Sequence, residues 1–216
     1  MTGLMMKDAL VMRKTLRLYA LFLLFYSGLA MLGVFPMSMA LAMVEVIVMV
    51  LPISSFSYDE AAKWDRYAAV LPVGRTAVVK ARYLFLLLVL LAAAAIGLVG
   101  SILASLLARE DLGELLATLL VSMGLGLMIA DIMLPVVYQL GPERARPWMY
   151  VIIFAPIVVL LGGAKLGLFD GIDLSWLDQL PELAVLGVFA LLPLVPLVGM
   201  LLSCWISCRI YASKEF

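Results

Sequence analysis

The chain contains no histidine and only two cysteines, Cys204 and Cys208. Without imidazole there is no histidine general base and no histidine metal ligand. A single C-x-x-x-C pair cannot complete a tetrahedral zinc shell either, so the two thiols read as small packing residues near the end of an apolar run. Charge is scarce: Asp, Glu, Lys and Arg make up 14% of the 216 residues, and the formal net charge is zero. The G-x-x-x-x-G-K-[ST] phosphate loop is also missing, so any use of ATP requires an ATPase on another chain. Neither cofactor nor metal is expected on this one, nor nucleic acid as a partner.

Apolar residues supply what remains. They make up 66% of the sequence, and the mean hydropathy is +1.16. Soluble domains stay near half apolar, so the composition points to an all-α integral membrane protein forming one transmembrane domain over residues 1–216. A helix needs about 20 apolar residues to cross the hydrocarbon core. Six segments meet that length, at 18–35, 36–56, 84–108, 115–140, 149–168 and 183–207. Leu18 to Val34, with cations before it and Ala40-Leu41-Ala42 after it, has the outline of a signal peptide. The residues that follow are again membrane-grade, so the segment is read as a span. A tight turn from Gly33 to Pro36 joins the first two spans.

An even number of spans places both termini on one side, and Lys and Arg say which. Thirteen of the fifteen (Lys7, Arg13, Lys14, Arg17, Lys63, Arg66, Arg75, Lys80, Arg82, Arg144, Arg146, Arg209 and Lys214) fall on one face, leaving Arg109 and Lys165 at the other. Basic loops stay in the cytoplasm, so the expectation is cytoplasmic termini in a bacterial cell membrane. Tyr19, Tyr83, Tyr138, Trp148, Tyr150 and Trp205 would form an interfacial belt at the inner boundary.

In lipid, helices associate through small residues that let backbones approach. Ala93, Gly97, Ser101 and Ser105 recur every four residues in the third span, and Ser122, Gly126 and Ala130 in the fourth; both are candidate contact faces. Pro193 and Pro196 are expected to bend the sixth span. Two acids, Glu45 and Asp131, lie within spans, where a charge costs about 2.5–3.5 kcal/mol on insertion scales. Pro135 deprives the Asp131 carbonyl of its helical donor. Three readings compete for this region: a proton or cation site, a polar lining of a substrate path, or a structural hydrogen bond from a neutral acid.

The longest stretch outside the spans runs from Phe56 to Tyr83. Ser57-Tyr58-Asp59-Glu60 fits a capping box, and Asp59 and Lys63 have the i, i+4 spacing of a helical ion pair. Leu71-Pro72-Val73-Gly74 fits a type I turn. The spacing predicts a capped cytoplasmic helix over 57–72, with Ala61, Trp64, Ala68 and Leu71 as an apolar stripe, then a rigid turn and a basic lead-in to the third span. The N-terminal 1–17 predicts an amphipathic helix on the inner leaflet, with Met5, Ala9, Met12 and Leu16 on one face and cations on the other.

Together these residues resemble the small six-span ABC-2 type permease subunits of bacterial ABC transporters. The likeness is sharpest at Tyr58-Asp59-Glu60, Trp64-Asp65, Tyr67, Leu71-Pro72-Val73-Gly74-Arg75 and Lys80-Ala81-Arg82-Tyr83, and at the start, Leu4-Met5-Met6-Lys7-Asp8. Gly74 stands where Ser is common, and Arg82 is inserted before the Tyr. The resemblance implies a permease dimer, of two copies or of a copy and a paralogue, served by separate ATP-binding cassette subunits that hold the ATP and Mg. It implies that the loop between spans two and three is a coupling helix, with Asp59, Glu60, Lys63, Trp64 and Arg66 against the ATPase and Leu71, Pro72 and Arg75 holding the helix to the third span. It also implies a broken helix before the last span, for which Phe169 to Glu182 is the candidate stretch. An exporter of lipophilic or amphipathic molecules, peptides included, is the leading expectation. A proton-coupled carrier using Glu45 or Asp131, or a non-transporting sensor or immunity subunit, are the alternatives.

Overall fold

The structure, a computed structural model, describes residues 2–64, 67–68, 74–167, 187, 189 and 191–214. Among them lie seven main helices and no strand: α1 (Thr2–Val11), α2 (Arg13–Met31), α3 (Met37–Ala61), α4 (Arg75–Ala108), α5 (Leu112–Leu140), α6 (Pro142–Lys165) and α7 (Leu194–Ser213). The last five are long and apolar enough to cross a membrane. α2 carries Arg13, Lys14 and Arg17 in its first five residues, which leaves it a shorter apolar run.

The ends of these helices follow local chemistry. Gly33 adopts φ 75°, and the amides of Gly33 and Val34 reach back to Ala30 and Leu29, so α2 closes in a Schellman turn before Pro36 opens α3. Asp111 caps α5, its carboxylate accepting from the Gly113 amide at 3.1 Å. Gly141, at φ 81°, turns the chain between α5 and α6, and Pro142 occupies the first turn of α6, where a missing amide proton costs nothing.

α3 and α5 form the centre, with α4 and α7 packed around them. α3, α4 and α5 bury nearly half of their most apolar stretches inside the protein, whereas α6 buries almost none. Close approach is set by glycines. A Cβ on Gly126 of α5 would meet the Glu45 Cα and the Val48 Cβ of α3 at 3.2 Å, and one on Gly97 of α4 would meet Leu119 and Leu41 side chains at 3.0 and 3.2 Å. Ala93, Ser101, Ser122 and Ala130 are buried along the same two faces, and Ser105 is half-buried near the far end.

Several expectations give way. α3 does not stop at Ser57: it runs on to Ala61, and the Ser57 hydroxyl donates to the Ile53 carbonyl instead of capping a new helix. No breaker lies between Pro52 and Ser57, and a serine inside a continuing helix bonds back four residues. The helix ends where Lys63 turns left-handed at φ 50°, its amide on the Glu60 carbonyl. Around Pro193 and Pro196 the helix is interrupted and not merely bent: Leu192 and Pro193 form a turn between helical Leu191 and α7, of which Pro193 is the N-cap and Pro196 part of the first turn. α6 begins at Pro142, so Arg144 and Arg146 belong to its first two turns rather than to a loop. The face of α1 and early α2 carrying Ala9, Met12 and Leu16 packs on the protein core, while Met6, Leu10 and Val11 face outward. The 71–74 turn, apart from Gly74, and the Phe169–Glu182 stretch lie outside the described residues.

Candidate functional site

The apolar packing brings four charges from three distant parts of the chain into one buried cluster. Lys7 and Asp8 come from α1, Asp59 from the last turn of α3, and Arg82 from the third turn of α4. The Lys7 ammonium lies 2.7 Å from Asp8 Oδ1 and donates to Asp59 Oδ1 at 2.8 Å. The Arg82 guanidinium donates to Asp59 Oδ2 and lies 3.6 Å from Asp8 Oδ1. Asp8, Asp59 and Arg82 are all under 9% exposed. Two cations face two carboxylates, so the cluster is neutral, which is the condition under which charge tolerates burial.

Aromatic rings complete the site. The Arg82 guanidinium stands 4.2 Å over the Phe56 ring, and the Lys7 ammonium 4.3 Å over the Trp64 ring. Tyr138 of α5 meets Phe56 edge-on at 4.6 Å and Tyr211 of α7 at 5.5 Å. Outside the knot, the Tyr58 and Thr15 hydroxyls pair at 2.8 Å, and those of Tyr19 and Ser54 at 3.1 Å, joining α2 to α3. Arg75, at the start of α4, donates to the carbonyls of Ala212 and Lys214 at 3.0 and 2.9 Å and so satisfies the end of α7. α1 and the membrane-flanking ends of α2, α3, α4, α5 and α7 are thereby joined at one level.

The loop-root residues singled out in the sequence divide by direction. Asp59 does not pair with Lys63: the left-handed turn takes Lys63 off the helix, and Asp59 turns inward to Lys7 and Arg82. Trp64 and Ala68 also face the core. Tyr58, Glu60, Lys63 and Tyr67 are exposed. Arg66, Leu71 and Pro72 lie outside the described residues. The part played by Lys7, Asp8 and Arg82 was not foreseen. A charged pair in an otherwise apolar α1 and an arginine at the end of the basic lead-in to α4 were the available signals, but their partners lie 52 and 23 residues away from them in sequence.

A family model described as an ABC-2 family transporter protein matches residues 3–212. The chain belongs to that family. No curated protein and no solved structure matches it. As a member of the ABC-2 transporter membrane family, with five helices suited to crossing a bilayer, it is a multi-pass membrane protein. The family points to an ABC permease subunit and implies an ATP-binding partner. The residues quoted for the resemblance at Lys7-Asp8, Asp59 and Arg82 are the ones that meet in the knot.

A second polar group lies within the spans. Pro135 has no amide proton to give the Asp131 carbonyl, and Ser203 of α7 donates to that carbonyl at 2.5 Å. The single Ser203 proton is thereby committed. Tyr83 of α4, 2.7 Å away, must therefore donate to Ser203 and accept from Ser207 at 2.8 Å. The relay joins α4, α5 and α7. Asp131 Oδ2 is buried without a partner among the described residues, and a Cβ on Gly199 would stand 3.2 Å from it. Glu45 is half-buried on α3 at the Gly126 crossing, well separated in sequence from the relay.

Proposed function

We propose that this chain is the permease subunit of an ATP-driven exporter, in which the α3–α4 loop receives motion from a separate ATP-binding subunit. The observation that carries the reading is the buried knot of Lys7, Asp8, Asp59 and Arg82, which binds the loop's two roots and α1 into one body. Exposed Tyr58, Glu60, Lys63 and Tyr67 stand on its outer side as the contact surface for the partner. A displacement applied to that surface would reach α3 and α4 together, because breaking a buried ion network is costly. On this reading the chain has six spans, α2 included, with the loop and both termini cytoplasmic. ATP and Mg are bound and hydrolysed by the partner. α6, whose outward residues Tyr150, Phe154 and Val158 are exposed, offers a second permease copy or paralogue a face to cover. A lipophilic or amphipathic cargo, peptides included, suits the apolar helices.

The test is co-purification. Full-length chain, co-expressed with a cognate ATP-binding subunit, should retain that subunit and its ATPase activity in mild detergent, whereas the chain alone hydrolyses no ATP. Glu60→Arg combined with Lys63→Glu should release the partner while leaving the permease folded. Retention of partner and transport by that double variant would remove the docking role. Transport by the chain alone in proteoliposomes, driven by a pH gradient, would instead favour the Asp131 carrier reading.

A further inference from the structure

The side of α1 and α2 that turns away from the protein is apolar at both ends and cationic in the middle. Met6, Leu10, Leu21 and Leu24 are 64, 56, 63 and 57% exposed. Arg13, Lys14 and Arg17 stand between them, all exposed. Positions 6, 10, 13, 17, 21 and 24 advance by three or four residues at each step, which keeps to one helical face. Helical hydrogen bonds run through the α1–α2 junction: the Met12 amide donates to the Asp8 carbonyl at 3.0 Å and the Leu16 amide to the Met12 carbonyl at 2.8 Å. The phase therefore carries from α1 into α2. Asp8, Met12 and Leu23 are buried on the opposite face. The side expected from the sequence to lie on the leaflet is thus the one that packs on the protein, and a different face meets the surroundings.

The three cations are uncommitted. Asp8 is the sole acid in the first 44 residues, and it is consumed with Lys7 in the buried knot. Among the described residues Arg13, Lys14 and Arg17 form no ion pair. Their level is fixed by α3: the hydroxyls of Thr15 and Tyr19 pair with those of Tyr58 and Ser54, at the root of the α3–α4 loop. A face of this kind suits neither water, which would meet its apolar ends, nor hydrocarbon, which would meet its charges. It suits the boundary between them, where apolar residues enter the acyl region and Lys and Arg reach phosphate.

The chemistry narrows the occupant. Arg13 and Arg17 lie one turn apart, about 6 Å along the axis, with Lys14 beside them. Guanidinium groups take phosphate oxygens in bidentate pairs. A zwitterionic head group brings its own ammonium, which three cations repel, whereas an anionic head group brings only the charge they lack. A soluble protein fits less well, because Leu21 and Leu24 continue the same face into the span, where a cytoplasmic subunit does not follow.

We infer that the outward face of the α1–α2 elbow is a site for anionic phospholipid, with Arg13, Lys14 and Arg17 on the phosphodiester and Leu21 and Leu24 against the acyl chains. The inference rests on α2 spanning the membrane, as in the six-span reading above, and on nothing about transport or ATP. Lys7 and Asp8 of the same elbow enter the knot, so a lipid held here is joined through α1 to both roots of the α3–α4 loop.

The test supplies full-length protein in mild detergent with equal amounts of phosphatidylglycerol and phosphatidylcholine of identical acyl chains, and counts retained lipid by native mass spectrometry. Phosphatidylglycerol should be preferred by about fivefold for each cation, on the order of 100-fold for the three. Arg13→Gln, Lys14→Gln and Arg17→Gln together should abolish the preference. If that variant misfolds or inserts the wrong way round, Arg17→Gln alone should lower it about fivefold. Arg144→Gln with Arg146→Gln, two exposed cations elsewhere, should leave it unchanged. No preference in the unaltered chain, a preference that survives the elbow variants, or an equal loss in the Arg144 and Arg146 control would overturn the site. So would loss of a co-purifying ATP-binding subunit from the elbow variants with lipid preference intact, because the face would then be a protein contact. An environment-sensitive fluorophore on Leu24→Cys, in a Cys204→Ala, Cys208→Ala background, separates the two levels of the argument. A water-like signal in vesicles removes the six-span reading and the site with it; a hydrocarbon-like signal without lipid preference removes the site alone.

Discussion

At the scale of single residues, the energetics of the protein concentrate in Arg82. It stands between two carboxylates, 4% exposed, in a segment where apolar neighbours outnumber polar ones. Removing it leaves Asp8 and Asp59 facing each other with Lys7 alone to neutralise them. Breaking a buried pair in this way costs about 3–5 kcal/mol. Arg82→Met is therefore expected to lower thermal stability in detergent sharply, read by fluorescence-detected size exclusion. Lys7→Met should cost less, because its side chain is 19% exposed against 5% for Arg82, and partial solvation weakens the pair it breaks. Equal losses for the two variants would mean that the knot is not the hub described. Of these four residues only Asp59 was legible in the sequence as a site residue, and then with the wrong partner. Spacing rules find neighbours three and four residues apart, not partners on another helix.

At the scale of elements, helix contacts are decided by where backbone must come close and where a broken hydrogen bond is made good. Ser203 supplies to Asp131 the proton that Pro135 lacks. Ser203→Ala should destabilise the protein by about 1–3 kcal/mol, the cost of a buried carbonyl left without a donor. Pro135→Ala restores an amide at that position and should recover most of the loss in the double variant, a pattern measurable as a thermal-shift cycle. Lack of rescue would show that the serine acts through packing instead. Glycines give a second contrast. A Cβ on Gly124 would meet the Leu192 backbone at 3.1 Å, whereas one on Gly97 meets the flexible ends of Leu119 and Leu41. Backbone yields less readily than a side-chain tip, and alanine is intrinsically the better helix former by about 1 kcal/mol. Gly97→Ala should thus be near neutral and Gly124→Ala destabilising by about 1–3 kcal/mol, in the same thermal assay. The four-residue small-residue stripes were visible in the sequence. Gly124 was not, because its partner is the chain entering α7, not a facing stripe.

At the scale of the whole molecule, side preference follows from the arrangement of cations. On the proposed topology the α2–α3 turn faces outward and the end of α7 faces the cytoplasm. In a background without native cysteines, exposed Val34→Cys should react with a membrane-impermeant maleimide in intact cells, and Ser213→Cys only after permeabilisation. The reverse labelling pattern would invert the protein and place the α3–α4 loop out of reach of any cytoplasmic ATPase. α6 is the other whole-molecule feature. A long apolar helix that buries so little of itself is finished by lipid or by another subunit; it lacks the Ser122, Gly126 and Ala130 stripe that seats α5 at the centre and carries Pro147 and Pro156 within it.

The sequence by itself determined the class. Apolar runs of spanning length, the basic residues gathered between them, and the charged loop-root motif suffice for a membrane permease, because crossing a bilayer constrains composition residue by residue. It also determined the turn at Gly33 and the loss of a helical donor at the Asp131 carbonyl, both set by one residue's backbone chemistry. Only the tertiary structure decided which charges meet, that α3 continues past Ser57, and which helices occupy the centre. Each of these depends on the relative placement of helices far apart in the chain. In so apolar a sequence nearly every helical face is equally greasy, so periodicity does not reveal which one turns inward.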